Sequence, residues 1–292
     1  MTEQSFEWTL VDPSAAAGAE RGTPTGEGLA QFAALVRAAI AEHAPAELAA
    51  GSVLVEPGGA TFTTITAALA SIGDASLKKQ YVVYVGAGTY NEVVTCKSWV
   101  FIQGADTEST IVSAPGTMVF GNKGTVIGAS NAAIQNLTVE SSGIGPKSWA
   151  MAVTADNVTN FDVENCQLIS SDPSGDATQV GLAVDFATGA HSSVVYLAYS
   201  SILVDEGNGQ GQPLGVYAAN STFLQVTNSK VVARGGVAGL GGAAGFKANL
   251  VVDDSYVEGA GYLLKLLSSS ATCTANGCQL VGPVYPGVVV NP

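Results

Sequence analysis

Asp172, Asp185 and Arg234 are among the residues of this 292-residue chain whose types could do chemistry. Two carboxylates in unlike surroundings can divide acid–base work, one holding a proton while the other stays charged. Asp185 stands out within AVDFATG (183–189), between two apolar residues, where an ordinary strand would carry a valine or a serine. The spacing argues against a working pair. Carboxylates on adjacent coils of a repeating structure stack only at about one coil's separation, and Asp172 and Asp185 are thirteen residues apart, which is less. Asp185 therefore reads as a scaffold position or a surface acid. Arg234, in VVARGG, is the only arginine after Arg37 and lies in a glycine-rich turn.

Sugar recognition needs a different set, exposed aromatic rings that stack on a pyranose face. Trp149, Tyr196, Tyr199 and Tyr217 are the candidate carbohydrate platforms, although rings of this kind serve more often as core. His43 and His191 have no Cys or carboxylate neighbours at ligand spacing, so no metal site is expected. Asp172 with Asp176, and the loop DEGNGQGQP (205–213), read as solvated turns rather than calcium loops. No cofactor is expected. Cys96 and Cys166 sit in apolar stretches as buried thiols, while Cys273 and Cys278, in CTANGC, could close a small disulfide loop.

The elements that would hold these residues follow from composition and pattern. With 12% charged residues and 35 glycines, the chain is a compact body with many tight turns. A net charge of −13 repels phosphate backbones and anionic membrane surfaces, which argues against a nucleic-acid partner. No run of eighteen apolar residues is present, so membrane insertion is not expected. The start, MTEQSFEWTLVDPS, lacks the basic and apolar regions of a signal peptide. The corresponding expectation is a virion or an extracellular appendage assembled in the cytoplasm.

Residues 1–26 read as an extended arm, and LAQFAALVRAAIAEH (29–43) as an amphipathic helix. In that helix Leu29, Phe32, Val36 and Ile40 share one face, and Pro45 limits its end. Residues 1–50 are thus expected to serve attachment or oligomerisation, and residues 51–292 to form a second, all-β domain. There AAIQNLTV, FDVENCQL, YLAYSSIL, LQVTNSKV, LVVDDSYV and TCTANGCQL each place a small polar pair before a branched residue. The pairs begin near Asn136, Asn165, Ser200, Asn228, Asp254 and Asn276. A polar corner recurring between strands at this period predicts a right-handed parallel β-helix, a solenoid whose apolar residues stack inward, with a β-sandwich as the rival.

The opening of that domain carries a resemblance. GGATFTTITAALASI, YVVYVGAGTYNEVV and WVFIQGADTESTIV (together about 53–113) resemble the opening of pectin methylesterases and related pectin-lyase-fold proteins. The resemblance implies a short N-terminal capping helix near residues 62–72, with Thr61 or Thr63 as its cap and Ile65, Leu69 and Ile72 facing the open end of the coils. It also implies, for an active esterase, two aspartates, oxyanion-binding glutamines in QAVAL-like and Gln-Asp stretches, and an arginine in GRPW. SWAMAV (148–153) matches the first stretch with Trp149 in place of the glutamine; Ser171-Asp172-Pro173 stands at the Gln-Asp pair; VDFATG supplies Asp185; GRPW is absent.

The expected function is therefore a non-catalytic β-helical structural or glycan-binding subunit. A tail-fibre or appendage protein of a phage or phage-like particle is an example, homotrimeric and joined to a larger particle through residues 1–50. The rival is a diverged carbohydrate esterase or lyase acting on an acidic polysaccharide, with Asp172, Asp185 and Arg234 as its residues.

Overall fold

The computed structural model describes residues 51–58, 61–117, 123–145, 147–172, 177–185, 192–205, 212–220, 222–234, 248–259, 271–284 and 286–292. The expected arm and helix of residues 1–50 lie outside these, as do Asp176 and most of the acidic loop at 205–213.

Among the described residues, three parallel sheets wind along one axis. Ten strands form the first: β1 (Ser52–Val55), β2 (Tyr81–Val85), β5 (Val100–Gly104), β8 (Ala132–Gln135), β11 (Phe161–Glu164), β14 (Val194–Ala198), β17 (Phe223–Thr227), β19 (Asn249–Asp253), β21 (Thr272–Asn276) and β23 (Val289–Asn291). Eight form the second: β3 (Gly88–Asn91), β6 (Thr110–Pro115), β9 (Thr138–Ser142), β12 (Gln167–Ser171), β15 (Ser201–Asp205), β18 (Lys230–Arg234), β20 (Tyr256–Gly259) and β22 (Gln279–Val281). The third has five: β4 (Val94–Thr95), β7 (Val126–Ile127), β10 (Trp149–Ala155), β13 (Thr178–Val184) and β16 (Gln212–Ala218).

From β2 to β16 the chain visits the sheets in the same order, coil after coil, and strands stack on those of neighbouring coils, as β11 does on β8 and β14. The architecture is the right-handed parallel β-helix that the repeat predicts. Alternation drives it. Phe161 and Val163, Leu168, Val195 and Leu197, Ile202 and Val204, and Leu224 and Val226 all point inward and are buried. Each large apolar side chain so placed contributes about 1.5–3 kcal/mol. In the five-stranded sheet the pairing register skips Ala152, Gly181 and Gly215 together. A Cβ on Gly181 would stand 2.2 Å from Ile202 Cγ2 and 2.6 Å from the Gly215 carbonyl oxygen, so this kink admits no side chain.

The polar corners between the ten- and eight-stranded sheets have a common physical basis. Asn136, Asn165, Tyr199, Asn228, Asp254 and Gly277 each adopt a left-handed backbone, with φ between 47° and 61°. Asn, Asp and Gly tolerate that conformation best. The next residue points into the solenoid, and there a serine ladder forms. Ser200 Oγ accepts from the Cys166 N–H, Ser229 Oγ from the Ser200 N–H and Ser255 Oγ from the Ser229 N–H, at 3.0, 3.2 and 3.1 Å. Each hydroxyl donates to the carbonyl two residues back in its own coil. Turn polar groups that would otherwise be buried unpaired are thereby satisfied. The alignment of sequence corners is thus corrected in two coils: the left-handed residue is Tyr199 rather than Ser200, and Gly277 rather than Asn276.

A lid closes the first coils. Helix α1 (Ile65–Ser71) buries Ile65, Ala68 and Leu69, with Ile72 buried at its end. Its cap is Thr64, extended at φ −131°, with its hydroxyl accepting from the Ala67 N–H at 3.2 Å. Neither Thr61 nor Thr63 holds that place. Two side chains from the coil beneath clamp the helix. The Glu92 carboxylate accepts from the Ile65 and Thr66 N–H groups at 2.8 and 2.9 Å, and Lys97 Nζ donates to the Ile72 carbonyl. A negative charge at the N-terminus and a positive one at the C-terminus both complement the helix dipole. Glu92→Ala is expected to lower stability by about 2 kcal/mol, since hydrogen bonds to a charged group are worth roughly 1.5–3 kcal/mol. Urea unfolding followed by circular dichroism measures it, and a change under about 0.5 kcal/mol would remove Glu92 from the clamp.

All four cysteines are free. Cys273 points into the core beside Leu250, while Cys278 sits at the last corner with its thiol donating to the Asn276 and Val252 carbonyls. The disulfide that CTANGC allows is not formed.

Candidate functional site

Asp185 follows β13 at the corner where the chain passes from the five-stranded to the ten-stranded sheet. Its backbone is left-handed, with φ 53°, and its side chain is fully buried. Oδ1 accepts from the Asn157 N–H at 2.9 Å and the Ser193 hydroxyl at 2.6 Å. Oδ2 accepts from the Ser193 N–H at 2.9 Å and lies 2.6 Å from Thr222 Oγ1. Asn220 Nδ2 donates to the Asp185 carbonyl at 2.8 Å, and the Asp185 N–H donates to Ala155. The carboxylate ties three successive coils together and offers no face to solvent. Of the two readings for this residue, the scaffold position describes its geometry and the surface acid does not.

Asp172 is also buried, at the opposite end of β13, where its Oδ2 accepts from the Ala177 N–H at 2.5 Å. Seven residues of strand separate the two aspartates. At about 3.3 Å per residue this is on the order of 20 Å, too far for shared acid–base work. Arg234 ends β18 and is exposed; its register partner is Asp205 on β15, which in turn pairs with Ser171 on β12. Asp172 and Arg234 thus share one end of the eight-stranded sheet, and Asp185 stands apart from both.

The aromatic candidates also separate. Trp149 starts β10, exchanges backbone hydrogen bonds with Thr117, and packs half-buried against the fully buried Met151, Val180 and Ala183. Tyr217 belongs to the same cluster, and burial pushes its phenol up. Tyr196 meets Phe223 edge-on, with ring centroids 6.2 Å apart. Tyr199 lines a groove that the other three do not reach, and it is 62% exposed.

That groove, of about 590 Å³, runs along the corner between the ten- and eight-stranded sheets. The turn Thr107–Glu108 walls one side, held where the Thr138 hydroxyl donates to the Thr107 carbonyl at 2.6 Å. Asn165, Asn228, Lys230, Asp254 and Tyr256 line the rest with Tyr199. Lys230 Nζ lies 5.5 Å from the Tyr256 ring centroid, and the Tyr256 hydroxyl donates to Glu258 at 2.8 Å. That bond, with a smaller contribution from burial, pushes the Tyr256 phenol up. Sequence reasoning missed these partners because they are about one coil apart. The signal that finds them is the corner alignment, once Tyr199 is placed in the column of Asn165 and Asn228.

A second carboxylate pair, Asp162 and Glu164, shares the outer face of β11. Burial, and then the charge of Glu164, push the Asp162 carboxyl up, and Gln135 Nε2 donates to Glu164 at 2.8 Å. Neither acid lines the groove. Among the described residues no cluster of three or more His, Cys, Asp or Glu is placed to hold a metal, and no helix is long and apolar enough to cross a membrane.

No family model and no curated protein matches the chain. Solved structures do. Pectin methylesterase from carrot is 16% identical, with a TM-score of 0.57 over 82% of this chain and 88% of that one. The enzyme from Aspergillus niger in deglycosylated form is 14% identical, with a TM-score of 0.52 over 82% and 86%. A pectin methylesterase mutant in complex with a hexasaccharide is 13% identical, with a TM-score of 0.50 over 82% and 92%. The fold is that of the pectin methylesterases. At such identities the likeness is one of architecture, and each residue must be judged where it stands. Of the positions the pectin methylesterase pattern assigns, one carries Trp149 packed on an apolar cluster, and another carries Asp185 with its carboxylate engaged by its own coils.

Proposed function

We propose that the chain is a non-catalytic β-helical subunit that binds glycans, of the kind found in a tail fibre or appendage of a phage or phage-like particle. The observation that carries this reading is Asp185. A nucleophile must present a free lone pair to its substrate, and this carboxylate is buried with both oxygens engaged. The fold relation to pectin methylesterases, one of them solved with a hexasaccharide, supports a carbohydrate ligand. The apolar stripe Leu29, Phe32, Val36 and Ile40 supports attachment and a homotrimer through residues 1–50, because four such side chains need a partner surface.

Methanol release from methylated pectin tests the absence of chemistry. Each missing oxyanion donor costs about 2.7–4 kcal/mol of transition-state stabilisation, so turnover is expected at the buffer rate. Release well above that rate would return the chain to the esterases.

A further inference from the structure

We infer that Tyr199 is the stacking platform of a subsite for a neutral pyranose glycan, in the groove along the corner between the ten- and eight-stranded sheets; this rests on the glycan-binding reading above. The first ground is a misfit. Of the six left-handed corners between the ten- and eight-stranded sheets, five carry Asn, Asp or Gly, the residues that tolerate this backbone, and the sixth carries a tyrosine at φ 50°. A bulky side chain there is strained, and strain of this kind persists where function uses it. Tyr199 also stands next in the column to an amide rung, in which Asn165 Nδ2 donates to Asn136 Oδ1 at 2.8 Å, and cannot extend it. The residue is 62% exposed, so little of it is spent on the core.

The second ground is the groove itself. Its lining combines the amides of Asn165 and Asn228, the carboxylates of Glu108 and Asp254, and the ammonium of Lys230 around the ring. Sugar hydroxyls both donate and accept, so such a mixture can hold them, while the ring covers an apolar face of the pyranose. Charge selects the class. Glu108 and Asp254 outnumber Lys230 in the lining, and the whole chain carries −13, so a polyanion is disfavoured at the site and at long range. The site lies on the corner, away from β10 and β13, where the esterase pattern maps.

Calorimetric titration with cellohexaose, chitohexaose and mannohexaose, and with hexagalacturonate as the anionic comparator, tests this on the full chain. At least one neutral hexasaccharide is expected to bind the wild type and Tyr199→Phe, and to bind Tyr199→Asn at least tenfold more weakly. Tyr199→Asn restores the corner residue of the neighbouring coils, so its Tm is expected at or above that of the wild type, and lost binding cannot come from misfolding. Neutral-glycan binding unchanged by Tyr199→Asn would overturn the platform and leave the glycan-binding reading standing. Hexagalacturonate bound more tightly than every neutral probe would overturn the ligand class. No binding of any of the four would overturn both the inference and the reading beneath it.

Discussion

Replacing Asp185 by alanine is expected to lower the stability of the β-helix by about 4 kcal/mol, because it leaves several donors without their acceptor and each buried polar group left unpaired costs roughly 1–3 kcal/mol. The carboxylate takes the N–H groups of Asn157 and Ser193 and the hydroxyls of Ser193 and Thr222. Ser193 Oγ in turn accepts from the Val158 N–H at 3.0 Å, so the loss spreads through a connected set rather than one contact. The Ser193 and Thr222 donors left behind are buried and cannot recover a partner from bulk water, which is the costly case. Asp185→Asn keeps the shape and suits the left-handed backbone, yet turns an NH2 group toward donors; its expected loss is about 2 kcal/mol. Chemical denaturation of the three proteins gives both numbers. A change under about 1 kcal/mol for Asp185→Ala would mean that the carboxylate is not a structural staple, and the chemical reading of VDFATG would revive.

Much of this fold was legible in the sequence because a solenoid repeats one solution. The alternation of Phe161-Asp162-Val163 or Val195-Tyr196-Leu197 places inward residues directly, and the column of Asn165, Asn228 and Asp254 marks the turn that only a few residue types accept. The lid was legible from Ile65, Leu69 and Ile72. Its clamp was not, since Glu92 and Lys97 reach the helix from another coil and look like ordinary surface charges in a linear chain.

The candidate site was harder to read for the same reason. The thirteen-residue spacing of Asp172 and Asp185 argued against a pair, and the structure adds why: a whole strand of the five-stranded sheet lies between them. The groove could not be read by spacing, because its residues belong to successive turns and meet only through stacking. Even so, Tyr199 left a trace. In YLAYSSIL the pattern starts the polar pair at Ser200, and the serine ladder shows that Ser200 is the inward residue that follows the corner. Shifting that column by one residue puts an aromatic where every neighbour has a small polar residue or glycine, and this is the anomaly on which the subsite rests.

Alkaline pH is expected to destabilise the protein steeply, through its buried thiols. Burial pushes Cys96, Cys166 and Cys273 up from an ordinary value of 9.0 to about 12 each. The native state therefore holds these three protons at a pH where the unfolded chain has released them. A group whose native value is raised contributes stability that is fully present below its unfolded value, here about 9, and lost as pH rises toward 12. Between those limits the unfolded state binds up to three fewer protons, which corresponds to a slope approaching about 4 kcal/mol per pH unit. Tyr90, pushed up to about 12 chiefly by burial, acts with the same sign above pH 10. Guanidinium unfolding at pH 8, 9, 10 and 10.5 gives the slope directly. Iodoacetamide labelling under native conditions supplies the complementary reading, since a protonated buried thiol reacts only when its coil opens. Stability that stays flat from pH 9 to 10.5, or rapid native labelling of Cys96 and Cys166 at pH 9, would mean that the interior of the solenoid is not sealed at these coils.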